Sequence, residues 1–178
     1  DNNSRIIFSP RIMTPNMNIE LILDSAEEIL RNHKDVYFFF ASNPRSKKLI
    51  RKFNKLIDTY GDKIRILGYL DNVEEMPLYY AVSSIVLSVP TSDSSPLSVY
   101  EAMACGNNVV VSNLKWIRGK FLNNKHLYTV ELSKSDIVKK IEKILKEKDD
   151  SISNNAYKRV LYRYNQDVQL CRLERLYQ

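Results

Sequence analysis

The apolar positions of this chain change their period as it runs, and the changes mark out its elements. Residues 5–9 (Arg-Ile-Ile-Phe-Ser) are a short apolar run that predicts a strand, and residues 10–18, with two prolines, read as the loop after it. Ile19, Leu21, Ile22, Leu23, Ala26, Ile29 and Leu30 recur at helical spacing until Asn32-His33-Lys34-Asp35 ends the run. Residues 36–41 (Val-Tyr-Phe-Phe-Phe-Ala) are continuously apolar, as suits a parallel strand buried on both faces. A second helix is expected over 44–60, with Leu49, Ile50, Phe53, Leu56 and Ile57 inward and a basic, solvated opposite face. The pattern then predicts a strand over 64–67, a helix over 73–82 and a strand opening at Ile85. A helix from Pro96 stops at Gly106 and is followed by a strand at Val109, Val110 and Val111. A weak strand over 127–130, a helix over 136–146, a break at 149–153 and two short tail helices, 155–164 and 168–176, complete the reading. The tail's apolar members, Tyr157, Val160, Leu161, Tyr164, Leu170, Leu173, Leu176 and Tyr177, form stripes that need something to cover.

Strands alternating with helices in this way imply an α/β fold, a Rossmann-like doubly wound parallel sheet in three layers with carboxyl-terminal helices. With 178 residues, 44% hydrophobic and 27% charged, the chain is long enough for one domain with a real core, and residues 1–178 are read as one. Only four glycines and six prolines argue against linkers. No apolar run approaches the length that spans a bilayer. The opening Asp1-Asn2-Asn3 is neither basic nor apolar, so no secretory leader is read there, and the missing Met suggests a fragment. The net charge of +6 favours anionic partners without choosing among nucleic acid, acidic lipid and phosphorylated small molecules. Cys105 and Cys171 lack metal spacing and read as reduced thiols of a cytoplasmic protein. His33 and His126 stand alone in polar turns and read as ordinary surface residues.

The chemistry gathers between Ile85 and Ser112. Ser95 suits a helix N-cap and Pro96 a first helical position, which leaves the N–H groups of Leu97 and Ser98 to seat an anion. Glu101, one turn further in, can lay its carboxylate along the same edge, and Asp93 lies in the loop just before. Two carboxylates beside an anion seat suit sugar hydroxyls flanking a phosphate, so the ligand described is a nucleoside diphosphate with sugars at its ends. The apolar neighbours Val99, Tyr100, Ala102, Met103 and Ala104 suggest a largely buried helix, on which an unpaired Glu101 would be costly. The plainer alternatives are an Asp93 that bonds nearby backbone N–H groups and an Arg11 in a surface salt bridge. Cys105 reads as packing, and Trp116 as either a loop cover or part of an acceptor groove.

These residues resemble the carboxyl-terminal, donor-binding half of GT-B glycosyltransferases of glycosyltransferase family 4. The family's Glu, seven residues, Glu, Ala-Met-Ala-x-Gly motif is matched by Asp93 and Glu101 followed by Ala102-Met103-Ala104-Cys105-Gly106. Ser9-Pro10-Arg11 stands at its Gly-Arg, Leu67-Gly68-Tyr69-Leu70 at its Leu-Gly-x-Val, and Met76-Pro77-Leu78-Tyr79-Tyr80-Ala81 precedes the Ile85 strand. The resemblance implies a retaining transferase of a hexose-type sugar to a glycan or lipid-linked acceptor, working without a metal or other cofactor. Arg11 would neutralise the donor diphosphate, with backbone N–H groups around Ser95, Leu97 and Ser98 cradling it. Glu101 would hold the ribose, Asp93 and Ser94 would meet the transferred sugar, and Gly68, Tyr69 and Leu70 would sit against the base. Asp93 and Glu101 would thus be the catalytic pair. The implied partners are the nucleotide sugar, the acceptor, an amino-terminal domain to which the tail 151–178 would cross, and the inner membrane face, with no nucleic acid among them.

The sequence also departs from the family. Its usual Lys, five residues after the Arg, is Asn16; its first Glu is the shorter Asp93; its Gly-x-Pro-Val is Gly106-Asn107-Asn108-Val109; and its downstream Glu falls at Arg118-Gly119-Lys120. Arg118 or Lys120 could supply the lost charge, and a degenerate, non-catalytic sugar-nucleotide module is the alternative. An unrelated phosphate-binding Rossmann-like domain loses ground because no Gly-x-Gly-x-x-Gly follows the first strand.

Overall fold

The computed structural model describes residues 4–147 and 149–175; Asp1, Asn2, Asn3 and Lys148 lie outside it, as do Leu176 and Tyr177 of the apolar tail stripe and Gln178. Six strands, β1 (Arg5–Ser9), β2 (Val36–Phe40), β3 (Ile64–Ile66), β4 (Ile85–Ser88), β5 (Asn108–Ser112) and β6 (Tyr128–Val130), form one sheet in the order β3-β2-β1-β4-β5-β6. Every pairing is parallel, from Arg5 opposite Val36 to Ser112 opposite Val130. The strand order reverses between β1 and β4, so the loops leaving those two strands part and open a crevice at their carboxyl ends. The doubly wound expectation holds.

Alternation along the strands sends side chains to two cores. Ile7, Phe38, Phe40, Ile85, Leu87 and Val110 face one way, where α1 (Ile19–Asn32), α2 (Lys47–Tyr60) and α5 (Lys134–Glu147) cover them with Ile22, Leu23, Ile29, Phe53 and Ile141. Phe8, Phe39, Val86, Val109 and Val111 face the other way. There α3 (Met76–Val82), α4 (Leu97–Ala104) and α6 (Ser151–Arg163) contribute Met76, Tyr80, Val99, Met103, Ala156 and Val160. A last helix, α7 (Gln166–Glu174), has no buried residue. The basic face of α2 is partly spent on α1, with Lys48 2.6 Å from Glu20 and Lys52 2.6 Å from Asp24.

Of the boundaries that differ from the sequence reading, three have a clear local reason. α2 begins at Lys47 rather than at 44, because the Ser46 hydroxyl accepts the Leu49 N–H at 3.1 Å and caps the helix there. α3 begins at Met76 rather than at 73: Asp71 Oδ1 takes the N–H groups of Val73 and Glu74 in a turn, leaving Val73 82% exposed. The break at 149–153 is only a helix start. Asp149 Oδ1 accepts the Ser151 N–H at 2.8 Å, and Ile152 and Ser153 are already buried. Among the described residues, no helix is long and apolar enough to cross a membrane.

Candidate functional site

The crevice between β1 and β4 is built by two asparagines. Asn16 gives its carboxamide to the Ser92 carbonyl (2.9 Å), accepts the Ser92 N–H (3.2 Å), and takes the Thr91 N–H on its own carbonyl (2.8 Å). Asn18, in the left-handed conformation that Asn tolerates, donates to the Val89 carbonyl (2.9 Å) and the Thr91 hydroxyl (3.0 Å). The loop after β4 is thereby stitched to the loop after β1. Asn16, which the sequence reading saw only as a lost positive charge, is a clamp.

That clamp brings Arg11 to Asp93. The guanidinium Nη2 lies 2.7 Å from Asp93 Oδ2 and Nη1 donates to the Ser98 hydroxyl at 2.9 Å, with the two charged side chains 16% and 14% exposed. Asp93 Oδ1 also accepts the Ser94 N–H at 2.8 Å, so the salt bridge and the backbone bond of the plainer reading both exist. Ser95, however, is not the N-cap. Pro96 is, its carbonyl taking the Val99 N–H at 3.0 Å, and the N–H groups of Leu97 and Ser98 have no hydrogen-bond acceptor among the described residues. Ser95 instead carries a φ of 141°, in the range that favours glycine and costs another residue roughly 1–3 kcal/mol. Its hydroxyl turns to the Tyr100 hydroxyl (2.8 Å) and to Lys120 Nζ, which donates to it at 3.1 Å.

Glu101 is exposed, against the expectation of a largely buried helix. Val99, Ala102 and Met103 turn inward, while Glu101, Ala104 and Cys105 lie on the outer side of α4. The carboxylate is nonetheless held, because Oε2 accepts the Tyr80 hydroxyl at 3.0 Å. Burial, and secondly the Glu101 charge, push the Tyr80 phenol well above its ordinary value, so it stays protonated and keeps donating. α4 ends in a Schellman turn, with the Gly106 N–H on the Met103 carbonyl and the Asn107 N–H on that of Ala102. The buried Asn107 then donates to the Tyr80 and Ser83 carbonyls at 2.8 and 2.7 Å, tying the end of α3 to the exit of α4. In the sequence Asn107 was only a departure from a motif. An Asn just past a helix-stopping Gly was the signal that was missed.

Gly68 has a φ of 80°, a conformation that residues with a β-carbon rarely adopt, so the turn after β3 is made for glycine. Tyr69 is 85% exposed, and Leu70 is buried in the same core as Tyr80. This turn lies two strands from β1 and shares no hydrogen bond with Arg11, Asp93 or Glu101 among the described residues. Ser94 is exposed. Arg118 is exposed too, whereas Lys120 reaches the start of α4. Trp116 is a core residue beneath that loop, packed on Tyr100 and Phe121.

The remaining reactive side chains correct the sequence reading. Cys105 is exposed rather than packed, and what burial it has, with Glu101, raises its thiol above the ordinary value instead of activating it. His126 is 8% exposed and its Nδ1 accepts the Leu122 N–H at 3.0 Å. His33 is half-buried, with Nε2 2.9 Å from Glu142. Among the described residues no three His, Cys, Asp or Glu side chains gather as a metal set.

The chain is similar to several solved structures. It superposes on the carboxyl-terminal domain of LpcC, a glycosyl transferase group 1 family protein of Francisella tularensis, with a TM-score of 0.81 and 18% identity over 91% of this chain and 87% of that one. A glycosyltransferase of Rickettsia africae gives 0.84 and 19% over 98% of this chain and 47% of that one. Anabaena HepE, solved in complex with UDP and glucose, gives 0.82 and 15% over 98% and 48%. The chain thus spans a little under half the length of the last two, and at these identities the likeness establishes the fold. No curated protein matches by sequence. The model of the family described as glycosyl transferases group 1 matches residues 1–159, and the six parallel strands superpose on the carboxyl-terminal domain of such enzymes; the chain therefore belongs to the group 1 glycosyl transferases of the GT-B fold.

Proposed function

We propose that this chain is the nucleotide-sugar-binding half of a retaining glycosyltransferase that passes a hexose-type sugar to a glycan or lipid-linked acceptor. The observation that carries this reading is the meeting of Arg11, Asp93 and Ser98 at the start of α4, beside the unpartnered N–H groups of Leu97 and Ser98. An arginine fork and two helix-terminal N–H groups are what a diphosphate needs. Asp93 takes the hydroxyls of the transferred sugar with Ser94, and Glu101, aimed by Tyr80, takes those of the ribose. Gly68, Tyr69 and Leu70 lie along the base, the exposed Tyr69 ring offering it a stacking face.

Chemically, an arriving diphosphate competes with Asp93 for Arg11. Once the guanidinium turns to the phosphates, Asp93 Oδ2 gains lone pairs for sugar hydroxyls, so binding couples the two charges. As the bond from sugar to diphosphate breaks, negative charge grows on the departing oxygen, and Arg11 with the α4 start stabilises it without a metal. From α7 onward, a helix with no residue buried here, the tail crosses to an amino-terminal domain that holds the acceptor, so this chain alone transfers no sugar. The net charge of +6 supports a cytoplasmic protein resting on an anionic inner membrane face. A non-catalytic sugar-nucleotide module is the second reading, favoured by Asn16, which supplies a clamp where the resemblance asks for a cation.

Titration calorimetry with UDP, GDP and ADP sugars tests the site. One of the three should bind, and Glu101→Ala should weaken it by about ten-fold, the scale of a lost charge-assisted hydrogen bond. Undiminished binding by the variant, or none by the parent, would sink the assignment.

A further inference from the structure

The cation nearest Ser95, Lys120, is given no contact with the donor in the proposed function. Lys120 Nζ donates to the Ser95 hydroxyl at 3.1 Å, and among the described residues it has no carboxylate within ion-pair distance. Lys115 and Lys125 of the same loop are likewise without an ion pair among the described residues, but both are exposed, whereas Lys120 is half-buried and bonded at the α4 start. Nor is Lys120 carried on a loose loop. Arg159 Nε from α6 donates to its carbonyl at 3.1 Å, and the neighbouring Trp116, Ile117 and Phe121 are buried. Ser95, its partner, holds a backbone conformation unfavourable to any residue with a side chain, and its hydroxyl is fixed between Lys120 and Tyr100. A strained residue that orients an unpaired cation toward a helix start is the kind of strain that accompanies binding.

The charges around the crevice show what this cation is for. Arg11 and Asp93 cancel each other, and Asn16 is neutral. The start of α4 adds only about half a positive charge, against the two to three negative charges of a diphosphate. We propose that Lys120 is a second cationic contact for the donor's diphosphate, seated at the α4 start through Ser95 as Arg11 is seated through Ser98. This inference rests on the nucleotide-sugar reading and adds to it a substrate-binding residue from the loop after β5.

The test compares probes that differ only in phosphate. UDP, GDP and ADP, with the matching monophosphates and nucleosides and with inorganic pyrophosphate, are titrated into the parent, Lys120→Gln, Lys120→Arg and, as a control, Arg118→Gln. Lys120→Gln should lose about ten-fold or more on the diphosphate and on pyrophosphate while keeping its nucleoside affinity. Lys120→Arg should keep most of the diphosphate affinity, and Arg118→Gln all of it. The inference is overturned if Lys120→Gln binds the diphosphate like the parent, or if nucleoside and diphosphate weaken equally, the mark of a merely structural lysine. Should Glu101→Ala still lose affinity in those cases, the nucleotide-sugar reading survives its failure. If the parent binds none of the probes, both fall.

Discussion

The two faces of the sheet are held by different means. On one, three helices of 14 residues each, α1, α2 and α5, lay aliphatic stripes across Ile7, Phe38, Phe40, Ile85 and Leu87. On the other, α6 has 13 residues but the two helices that frame the site are short, α3 with seven residues and α4 with eight, and the core is rich in aromatic rings, with Phe8, Tyr79 and Tyr80 in contact and Tyr100, Trp116, Phe121 and Tyr164 forming a second group. Helices so short gain little from their own hydrogen bonds. Side-chain bonds fix them instead, Tyr80 to Glu101 and Asn107 to the end of α3. The first face contributes buried area, which is forgiving of detail, and the second contributes geometry, which is not. The candidate site stands on the second.

The largest effect that separates them should come from Phe53→Ala on α2, a fully buried ring in edge contact with Phe40. Truncation there should cost about 3–5 kcal/mol in denaturant unfolding. Donor affinity, measured where the variant is still folded, should not change. If affinity falls with stability, the division between the faces is wrong. A smaller loss, about 1–3 kcal/mol, is expected for Asn107→Ala, which leaves the Ser83 carbonyl without its donor and the Tyr80 carbonyl with only the Ser83 N–H. Here affinity should fall as well, because the Tyr80 hydroxyl that aims Glu101 moves with α3. Equal donor affinity for parent and variant would show that α3 does not position the site.

The same contrast explains what was legible in the chain. The aliphatic face is written in periodicity. Of the positions that predict α1, Ile19, Ile22, Leu23, Ala26, Ile29 and Leu30 are buried and Leu21 is half-buried. Strands alternating with helices, joined by right-handed crossovers, imply a doubly wound parallel sheet, so the fold class is readable while the strand order is not. The carboxyl-edge loops have no period, and there single residues were misjudged. Asn16 reads as a missing charge because its value lies in bonds to Ser92 and Thr91, more than 70 positions away in sequence. The apolar neighbours of Glu101 suggest burial, yet successive residues on a helix point about 100° apart, and its outer position depends on which side α4 turns to the sheet. Ser95 looks like a cap by residue type, but the Pro96 carbonyl already closes the first turn. Lys120 could be nominated only by counting charges, since nothing local shows that a loop after β5 returns to the start of α4.

The smallest expected difference is in pH response. At the amino edge, Arg5 and Asp35 join β1 to the start of β2, and the Arg5 bond holds Asp35 below its ordinary carboxyl range. Its contribution is complete above 3.8 and is lost only as pH falls below that value. On the site's face, burial first and then Arg159 and Lys125 lower His126 below 6.5. The folded protein therefore binds fewer protons than the unfolded chain in the range just below 6.5, and stability must rise with pH there. Protonation would also put a hydrogen on the Nδ1 that accepts the Leu122 N–H. Unfolding free energy should thus be flat from neutral pH down to about 6.5, then decline until His126 is protonated in the folded state as well. His126→Asn, whose carbonyl can still accept the Leu122 N–H, should remove that decline while leaving the Asp35 decline at lower pH. Unfolding measured by denaturant from about pH 2 to 8 distinguishes the outcomes, because a mild-acid decline that persists unchanged in the variant would show that His126 is not its source.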